Sequence, residues 1–370
     1  MDQLIKKQKM DLELKSLEDL PEEIILKILV QVNIRDLFRC SFVNKRMSRI
    51  ANDKYLWEKL NLRSNEDVPA LLFAKLIENG CEKLAVPNYL DLDWLSASFE
   101  ENSKLKYLSF LVSKFSEGLL DFAASCHGLE KLNVVLWCGD FSNAEFQSAF
   151  DKLLKCITNS SSTLKVLRIQ CYSQIISYES MRLIVTTCQG LTELKISYSP
   201  MSQETMNFLC ANLTTGIEKL HISGLPFGDD QLITLVTRCN KLTELAFDNY
   251  YCFRNFRFSD ESVDITIQNL SQTLTKLQVF SVSNFSFPNL LKIASMPNLK
   301  VLRIFRDLPA NEKEKLIKML PHLSDTFESH CVMSPSACVL CDNLWIAYPY
   351  QSCVHWQNGF WEIEAKLRSY

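Results

Sequence analysis

The residue types that most often carry catalysis form no recognised pattern in this sequence of 370 residues. It contains no G-x-x-x-x-G-K, G-x-G-x-x-G, H-E-x-x-H or G-x-S-x-G motif. Its five histidines are scattered, and their spacing defines no Ser–His or Cys–His pair. We therefore expect a protein that is not an enzyme and needs no cofactor.

Two short motifs near the end of the chain could hold a metal ion. Cys338-x-x-Cys341 is followed by Cys353-x-His355, with eleven residues between the two halves. Such a set could bind zinc tetrahedrally. Cys-x-x-Cys is common, however, and the flanking residues here are apolar, so we favour a capping tail without metal and keep zinc as the alternative.

Composition and charge exclude several classes of protein. Apolar residues make up 47% of the chain and charged residues 22%, as in ordinary globular proteins. The net charge of −3 provides no overall attraction to nucleic acid or to an anionic membrane, so we expect neither partner. No apolar run approaches the ~20 residues of a membrane span, and the first fifteen residues lack the apolar core of a secretory signal. We expect a cytoplasmic or nuclear protein whose 14 cysteines are thiols.

Residues 17–62 carry three short amphipathic patterns that predict three helices. Asp19 is placed to cap the first helix, with Pro21 and Glu22 in its first turn. The apolar stripes contain Ile24, Ile25, Ile28, Leu29, Val32, then Leu37, Phe38, Cys40, Val43, and finally Met47, Ile50, Leu56, Trp57, Leu60. A unit of this size cannot bury so many apolar side chains by itself, so a second surface must cover some of them.

This segment resembles an F-box, the module that docks a substrate receptor onto a cullin-RING ubiquitin ligase. The resemblance rests on Leu20-Pro21-x-Glu23, Ile28-Leu29, Leu37, Val43-Asn44-x-Arg46 and Leu56-Trp57. It implies binding to the Skp1-like adaptor subunit of an SCF complex, and through it to cullin. The implied adaptor contacts are Leu20, Pro21, Glu23, Ile25, Ile28, Leu29, Leu37, Val43 and Trp57. The alternative is that these helices only cap the remainder of the chain.

A repeated phrase, apolar-x-x-apolar-x-apolar, fills most of the remaining chain. Its nine starts are Cys81, Leu105, Leu129, Leu164, Leu191, Ile217, Leu242, Leu277 and Leu299. The mean spacing of ~27 residues lies in the range of leucine-rich repeats, with insertions in the two long steps. Each unit predicts a strand and then a helix, so stacking gives an α/β horseshoe with parallel strands on its concave face and helices on its convex face.

These patterns divide the chain into five parts. We predict a flexible segment at 1–16, the F-box at 17–62, linker or cap helices at 63–80, about nine repeats at 81–325 and a capping tail at 326–370. Cys126, Cys188 and Cys239 each stand three residues before a repeat start. Equivalent positions imply an equivalent role, which we interpret as a small buried apolar group.

The end of the chain resembles that of a cell-cycle member of the F-box/leucine-rich-repeat family. The motifs are Leu320-Pro321-His322-Leu323, Ser329-His330 and Trp361-Glu362-Ile363. The resemblance implies a tail that folds back along the concave face. It also implies a phosphorylated substrate and a small kinase-associated accessory protein.

Residues that alternate with the buried leucines should face the concave side. Among them, six are basic or histidine and two are acidic, so a phosphorylated or acidic peptide would fit. The long insertion after Phe247 adds aromatic and arginine residues typical of interfaces. The predicted substrate contacts are Lys131, Arg168, Lys195, His221, Tyr250, Arg254, Arg257, Arg303 and Phe305. The alternatives are solvated face residues and, in the insertion, aromatics that pack on one another.

Together these features predict a non-catalytic substrate receptor of an SCF-type ubiquitin ligase. Such a receptor would present a phosphorylated substrate for ubiquitination and degradation in the proteasome. One alternative is a leucine-rich-repeat scaffold or inhibitor unrelated to ubiquitin. Another is a receptor that holds a small molecule in its concave face.

Overall fold

The structure is a computed structural model. It describes Leu17 and residues 20–58, 80–86, 104–112, 116–137, 142–172, 175–197, 201–223, 227–248, 258–279, 285–304, 309–319 and 361–364.

Four short helices open the described chain: α1 (Glu22–Leu29), α2 (Ile34–Cys40), α3 (Lys45–Ala51) and α4 (Lys54–Glu58). Asparagine side chains begin two of them. Asn33 Oδ1 accepts the Asp36 backbone N–H at 2.9 Å, and Asn44 Oδ1 accepts the Met47 N–H at 2.8 Å. Helix α1 begins differently from the prediction, because Pro21 occupies its N-cap position without a side-chain hydrogen bond. The predicted cap, Asp19, lies outside the described residues.

The third predicted helix is two helices, α3 and α4, separated at Asn52 and Asp53. Asp53 Oδ1 accepts the Tyr55 backbone N–H at 2.9 Å, which replaces a helical hydrogen bond and ends the continuous pattern. Trp57 then donates from Nε1 to the Ala51 carbonyl at 2.7 Å inside the core. This bond ties α4 to the end of α3.

A ten-stranded sheet comes next, with its strands in chain order. Its strands are β1 (Lys83–Ala85), β2 (Tyr107–Val112), β3 (Lys131–Trp137), β4 (Val166–Tyr172), β5 (Glu193–Ser197), β6 (Lys219–Ser223), β7 (Glu244–Asp248), β8 (Lys276–Val279), β9 (Val301–Ile304) and β10 (Trp361–Glu364). Strands β1 to β9 are parallel to their neighbours, as predicted for repeats. Strand β10 pairs with β9 in the antiparallel direction, so the end of the described chain adds a strand to the sheet.

Helices connect successive strands from β2 onward. They are α5 (Glu117–Ser125), α6 (Asn143–Asn159), α7 (Tyr178–Thr187), α8 (Gln203–Asn212), α9 (Asp229–Arg238), α10 (Asp260–Leu270), α11 (Phe287–Ala294) and α12 (Ala310–Met319). Six begin with a serine whose side chain accepts a backbone N–H three residues later, namely Ser116, Ser142, Ser177, Ser202, Ser259 and Ser286. Among the described residues, no helix has the length and apolar character that a bilayer span requires.

A ladder of nine buried leucines runs across the parallel strands. Each is paired in register with the next: Leu84, Leu108, Leu132, Leu167, Leu194, Leu220, Leu245, Leu277 and Leu302. Because side chains alternate along a strand, these leucines point to the helical side and their neighbours point to the other side. The predicted α/β repeat horseshoe is confirmed.

The ladder corrects the position of the eighth repeat. The sequence phrase places its start at Leu277, but Leu277 pairs with Leu245 and Leu302, which are fourth in their own phrases. The repeat therefore starts three residues earlier, at the fully buried Leu274. Both residues are leucines three positions apart, so only strand pairing distinguishes the two registers.

The first of the two long spacings between repeat starts, from Leu129 to Leu164, contains a long helix rather than a long loop. Helix α6 has 17 residues, whereas α5 and α7 have 9 and 10. The loop of the second long step, residues 249–257, lies outside the described residues.

The three equivalent cysteines are buried, as predicted. Cys126 donates from Sγ to the Phe122 carbonyl at 3.3 Å, and Cys239 donates to the Thr214 carbonyl at 3.7 Å. Burial raises the pKa of Cys126 to about 12 and that of Cys239 to about 11. Buried thiols that stay protonated at neutral pH act as small apolar groups.

Leu220→Ala should lower the free energy of unfolding by about 2–5 kcal/mol, because it opens a cavity in the middle of the leucine ladder. Urea unfolding followed by circular dichroism measures the change. Ile175→Ala is the control, since that side chain is 67% exposed and its truncation should change stability little. Equal losses in the two variants would contradict the ladder.

Candidate functional site

Exposed apolar side chains are concentrated on the opening helices. Among the described residues, nine large hydrophobic side chains are exposed, and seven of them precede residue 59. These seven are Leu17, Ile24, Ile28, Val30, Phe42, Val43 and Tyr55. A segment this short with so much apolar surface in water is typical of an interaction site. We call these seven residues the apolar patch.

The most exposed members of the patch lie in the turn between α2 and α3. Phe42 is 69% exposed and Val43 is 65% exposed. Their backbone N–H groups donate to the carbonyls of Arg39 and Cys40 at 3.0 and 3.2 Å, which holds the turn in one conformation. The Phe42 ring also packs edge-on against Phe38, with centroids 4.9 Å apart. The turn is therefore ordered before any partner arrives.

The predicted adaptor contacts fall into two groups. Pro21, Glu23, Ile28 and Val43 are exposed, and Leu20 is half-buried. The remaining four are buried inside the chain, which makes them core residues rather than surface that a partner could cover: Ile25, Leu29, Leu37 and Trp57. A sequence motif does not distinguish a buried residue that supports a surface from a residue that lies on it, and adaptor contact itself stays a prediction.

Sequence reasoning did not select five members of the patch as contacts: Leu17, Ile24, Val30, Phe42 and Tyr55. For Ile24 a signal was present, because it precedes Ile28 by four residues and so shares its face of α1. Phe42 has only its position beside Val43 as a signal. A lone aromatic residue in a turn gives no periodicity from which exposure could be read.

Ion pairs fix the start of α1 against α3. Arg46 donates to the Leu20 carbonyl at 2.7 Å, and its Nε lies 3.7 Å from Glu22 Oε1. Arg49 also pairs with Glu22. These contacts hold the Leu20-Pro21 segment beside the patch.

A second candidate site lies on the sheet face opposite the leucine ladder, the concave face. The strand register defines two rows from β3 to β8. The first concave row is Lys131, Val166, Glu193, Lys219, Glu244 and Lys276. The second concave row is Asn133, Arg168, Lys195, His221, Ala246 and Gln278.

Two carboxylates pair with the cations of these rows. Arg168 donates from Nε to Glu193 Oε1 at 2.5 Å, with both side chains less than a fifth exposed. Glu244 accepts from Lys219 at 2.5 Å, and its other oxygen lies 3.8 Å from Lys276 Nζ and 3.9 Å from His221 Nε2. Partial burial weakens solvent screening, so these charges act strongly on one another.

Two pKa shifts on this face arise mainly from burial, and neighbouring cations add to both. Burial lowers the pKa of His221 to about 3, with help from Lys195, Lys276, Arg168 and Lys219. Burial also lowers the pKa of Lys131, and the charge of Arg168 adds to the effect. His221 is therefore neutral at neutral pH and adds no charge to its row.

The structure brings together Lys131, Arg168, Lys195 and His221, as predicted for a basic concave face. In the register of β9, the backbone of Arg303 pairs with that of Gln278. The other predicted substrate and zinc residues lie outside the described residues: Tyr250, Arg254, Arg257, Phe305, Cys338, Cys341, Cys353 and His355.

Sequence reasoning missed Glu193, which pairs with Arg168, and Lys276, which lies near Glu244. Each stands immediately before a ladder leucine, as Lys131 does. Aligning the residue before every such leucine would have found them. For Lys276 this alignment also requires the corrected register of the eighth repeat.

Comparison with known proteins identifies the opening helices. Residues 17–63 match the F-box-like family. A longer stretch of 252 residues is 23% identical to Lysine-specific demethylase 2B of Mus musculus, and it covers 62% of this chain but 18% of that relative. The apolar patch therefore lies inside an F-box-like domain, and the chain spans less than a fifth of the length of that relative.

His221→Gln should make the protein less sensitive to acid. The pKa of folded His221 lies below its ordinary value, so between pH 6.5 and 3 the unfolded chain binds a proton that the folded chain does not. Wild type should therefore lose about 2 kcal/mol more stability than the variant between pH 7 and 5. Urea unfolding at both pH values measures the difference.

The control is His127→Gln, because that side chain is exposed. It should follow wild type at both pH values. A His221→Gln profile that matches wild type would show that the imidazole is not buried as described.

Proposed function

We propose that this chain is the substrate-recognition subunit of an SCF-type cullin-RING ubiquitin ligase. The observation that carries the proposal is the apolar patch, which lies within the segment that matches the F-box-like family. Its partner is the Skp1-like adaptor, and through it cullin. An adaptor that covers Phe42, Val43 and Ile28 removes from water the apolar surface that the opening helices leave exposed.

The mechanism is proximity. The horseshoe holds a substrate protein while the adaptor connects the complex to the enzyme that carries ubiquitin, so the effective concentration of a substrate lysine rises. In this proposal the chain itself is not an enzyme. The activity named for Lysine-specific demethylase 2B belongs to that protein, most of whose length has no counterpart here.

The finer features of the proposal concern the substrate and the tail. A phosphorylated substrate is supported by the excess of cations over carboxylates on the concave face. A role in the cell cycle is proposed only on the resemblance of the tail motifs. The tail motifs resemble S-phase kinase-associated protein two, which adds an accessory protein to the proposal. Among these motifs, Trp361-Glu362-Ile363 lies in β10, and the others lie outside the described residues.

We also propose the sequence-derived boundaries for the domains: F-box 17–62, linker 63–80, repeats 81–325 and tail 326–370. A cytoplasmic or nuclear location is supported by the eight cysteines of the described chain that form no disulfide, because reducing compartments keep cysteines as thiols.

Ile28→Asp combined with Val43→Asp should weaken adaptor binding at least about 30-fold, since charge in the centre of an apolar contact costs on the order of 2 kcal/mol or more. Both side chains are exposed, so the fold should be unchanged. Co-purification with the adaptor and surface plasmon resonance measure the loss. Leu20→Ala with Pro21→Ala should likewise abolish co-purification while the repeats stay folded.

Ile175→Asp is the matched control, because Ile175 is at least as exposed as Val43 and Ile28 but lies among the repeats. It should bind the adaptor as wild type does. If wild type fails to bind any adaptor, or if the double variant binds normally, the ligase proposal is wrong and the chain is a repeat scaffold with capping helices.

A further inference from the structure

Charge is compensated in the rear part of the first concave row, from β5 to β8. Glu244 on β7 pairs with Lys219, and its other oxygen lies 3.8 Å from Lys276 Nζ. Glu193 on β5 pairs with Arg168 of the second concave row. Both lysines of this part of the first row therefore have a carboxylate next to them, and an incoming anion would have to compete with it.

The front of the same face lacks this compensation. The strand register continues forward from Lys131 on β3 to Tyr107 on β2 and Lys83 on β1, so the three residues stand side by side. We call these three residues the front triad. Neither of its lysines forms an ion pair with a carboxylate of the described chain.

The carboxylates within electrostatic range of the triad are committed to other cations. Glu82 interacts with Lys83, but it accepts a hydrogen bond from Lys106 at 2.9 Å. Glu193 interacts with Lys131, but it already pairs with the arginine of the second concave row. The front triad therefore keeps two positive charges that its surroundings do not neutralise.

The triad is accessible and its parts are held in place. Lys83 is exposed, and Tyr107 and Lys131 are half-buried. Lys131 Nζ lies over the Tyr107 ring, 5.2 Å from its centroid, and this cation–π contact holds the ammonium group beside β2. Lys83 stands one strand step beyond Tyr107, or ~4.8 Å at the backbone. Both ammonium groups can therefore contact one small anionic group at this place.

Partial burial makes Lys131 the stronger of the two anion contacts. Burial lowers the pKa of Lys131, and the charge of Arg168 adds to the effect. An ammonium group that is partly desolvated and has no carboxylate partner gains more from an incoming anion than a fully hydrated one does.

We propose that the front triad binds the phosphate group of a phosphorylated polypeptide, with Lys83 and Lys131 contacting the phosphate oxygens and Tyr107 positioning Lys131. A phosphate monoester carries about −1.5 to −2 charges at neutral pH, which matches two uncompensated lysines, whereas a carboxylate neutralises one of them. The inference rests on the proposed function in one respect: the phosphorylated polypeptide would be the substrate.

The surroundings of the triad favour one phosphate over a run of phosphates. The triad spans two strand steps, or ~10 Å. Glu82 and Glu130 stand directly before β1 and β3, and Glu193 lies further along the row. A nucleic acid carries a phosphate at every nucleotide and would meet these carboxylates, whereas a polypeptide with a single phosphate would not.

The test uses the full-length chain and pentapeptides of alanine and glycine whose ends are acetylated and amidated. The central residue is phosphoserine, glutamate or serine, and isothermal titration calorimetry at low ionic strength measures binding. We expect the phosphoserine peptide to bind about tenfold more tightly than the glutamate peptide, and the serine peptide not to bind. Inorganic phosphate and single-stranded DNA serve as further ligands, and each should bind more weakly than the phosphoserine peptide.

Variants of the triad test each residue. Lys131→Met should weaken the phosphoserine peptide about tenfold or more, because it removes a charge-assisted contact, and Lys131→Arg should restore most of the loss. Lys131→Met should not lower the thermal midpoint of the free protein, since it removes a partly buried charge without a carboxylate partner. Lys83→Met should also weaken the peptide, and Tyr107→Leu should do so several-fold through the lost position of Lys131.

Lys300→Met is the charge-matched control, because Lys300 is exposed and stands before β9, at the other end of the parallel strands. It should bind the phosphoserine peptide as wild type does. Equal affinity for the phosphoserine and serine peptides, tighter binding of DNA or of inorganic phosphate than of the phosphopeptide, or equal losses in Lys131→Met and Lys300→Met would each overturn the inference. Adaptor co-purification is scored separately, so the ligase proposal can stand when this one fails.

Discussion

Nine leucines packed between a parallel sheet and its helices set the geometry of most of this protein. Each ladder leucine is in register with the next and almost completely buried, so a shift of one residue in any strand would move a leucine out of the core and onto the polar concave face. The same register places the residues immediately before and after each ladder leucine side by side on the opposite face of the sheet. The concave rows are thus a consequence of the apolar core.

The opening helices divide their apolar residues between two tasks. Ile25, Leu37 and Trp57 fill the interior of the segment, whereas Ile28 and Val43 remain in water. So short a unit has too little interior to bury both groups completely, so the second group keeps much of its apolar surface exposed. An F-box-like domain with such a patch gains stability when another protein covers it, which couples its fold to its partner.

The concave face shows why net charge is a poor guide to local chemistry. The chain as a whole is acidic by three charges, yet the strand register places five lysine or arginine residues and only two glutamates in the two concave rows. Glu193 and Glu244 compensate part of this charge. Burial is the main reason that His221 is neutral, and the neighbouring cations add to the effect, because a protonated imidazole would be a further cation in a partly desolvated cluster.

The sequence alone determined the repeat architecture, the F-box resemblance and the buried cysteine positions, because leucine spacing and short motifs are local information that survives without contacts. It placed the eighth repeat three residues late, since Leu274 and Leu277 are equivalent until strands pair. Which apolar residues of the opening helices face outward was decided by the tertiary structure, as was the meeting of Asn133, Arg168 and Lys195 in one row. Exposure and strand register depend on residues far apart in the chain, and only the folded protein brings those residues together.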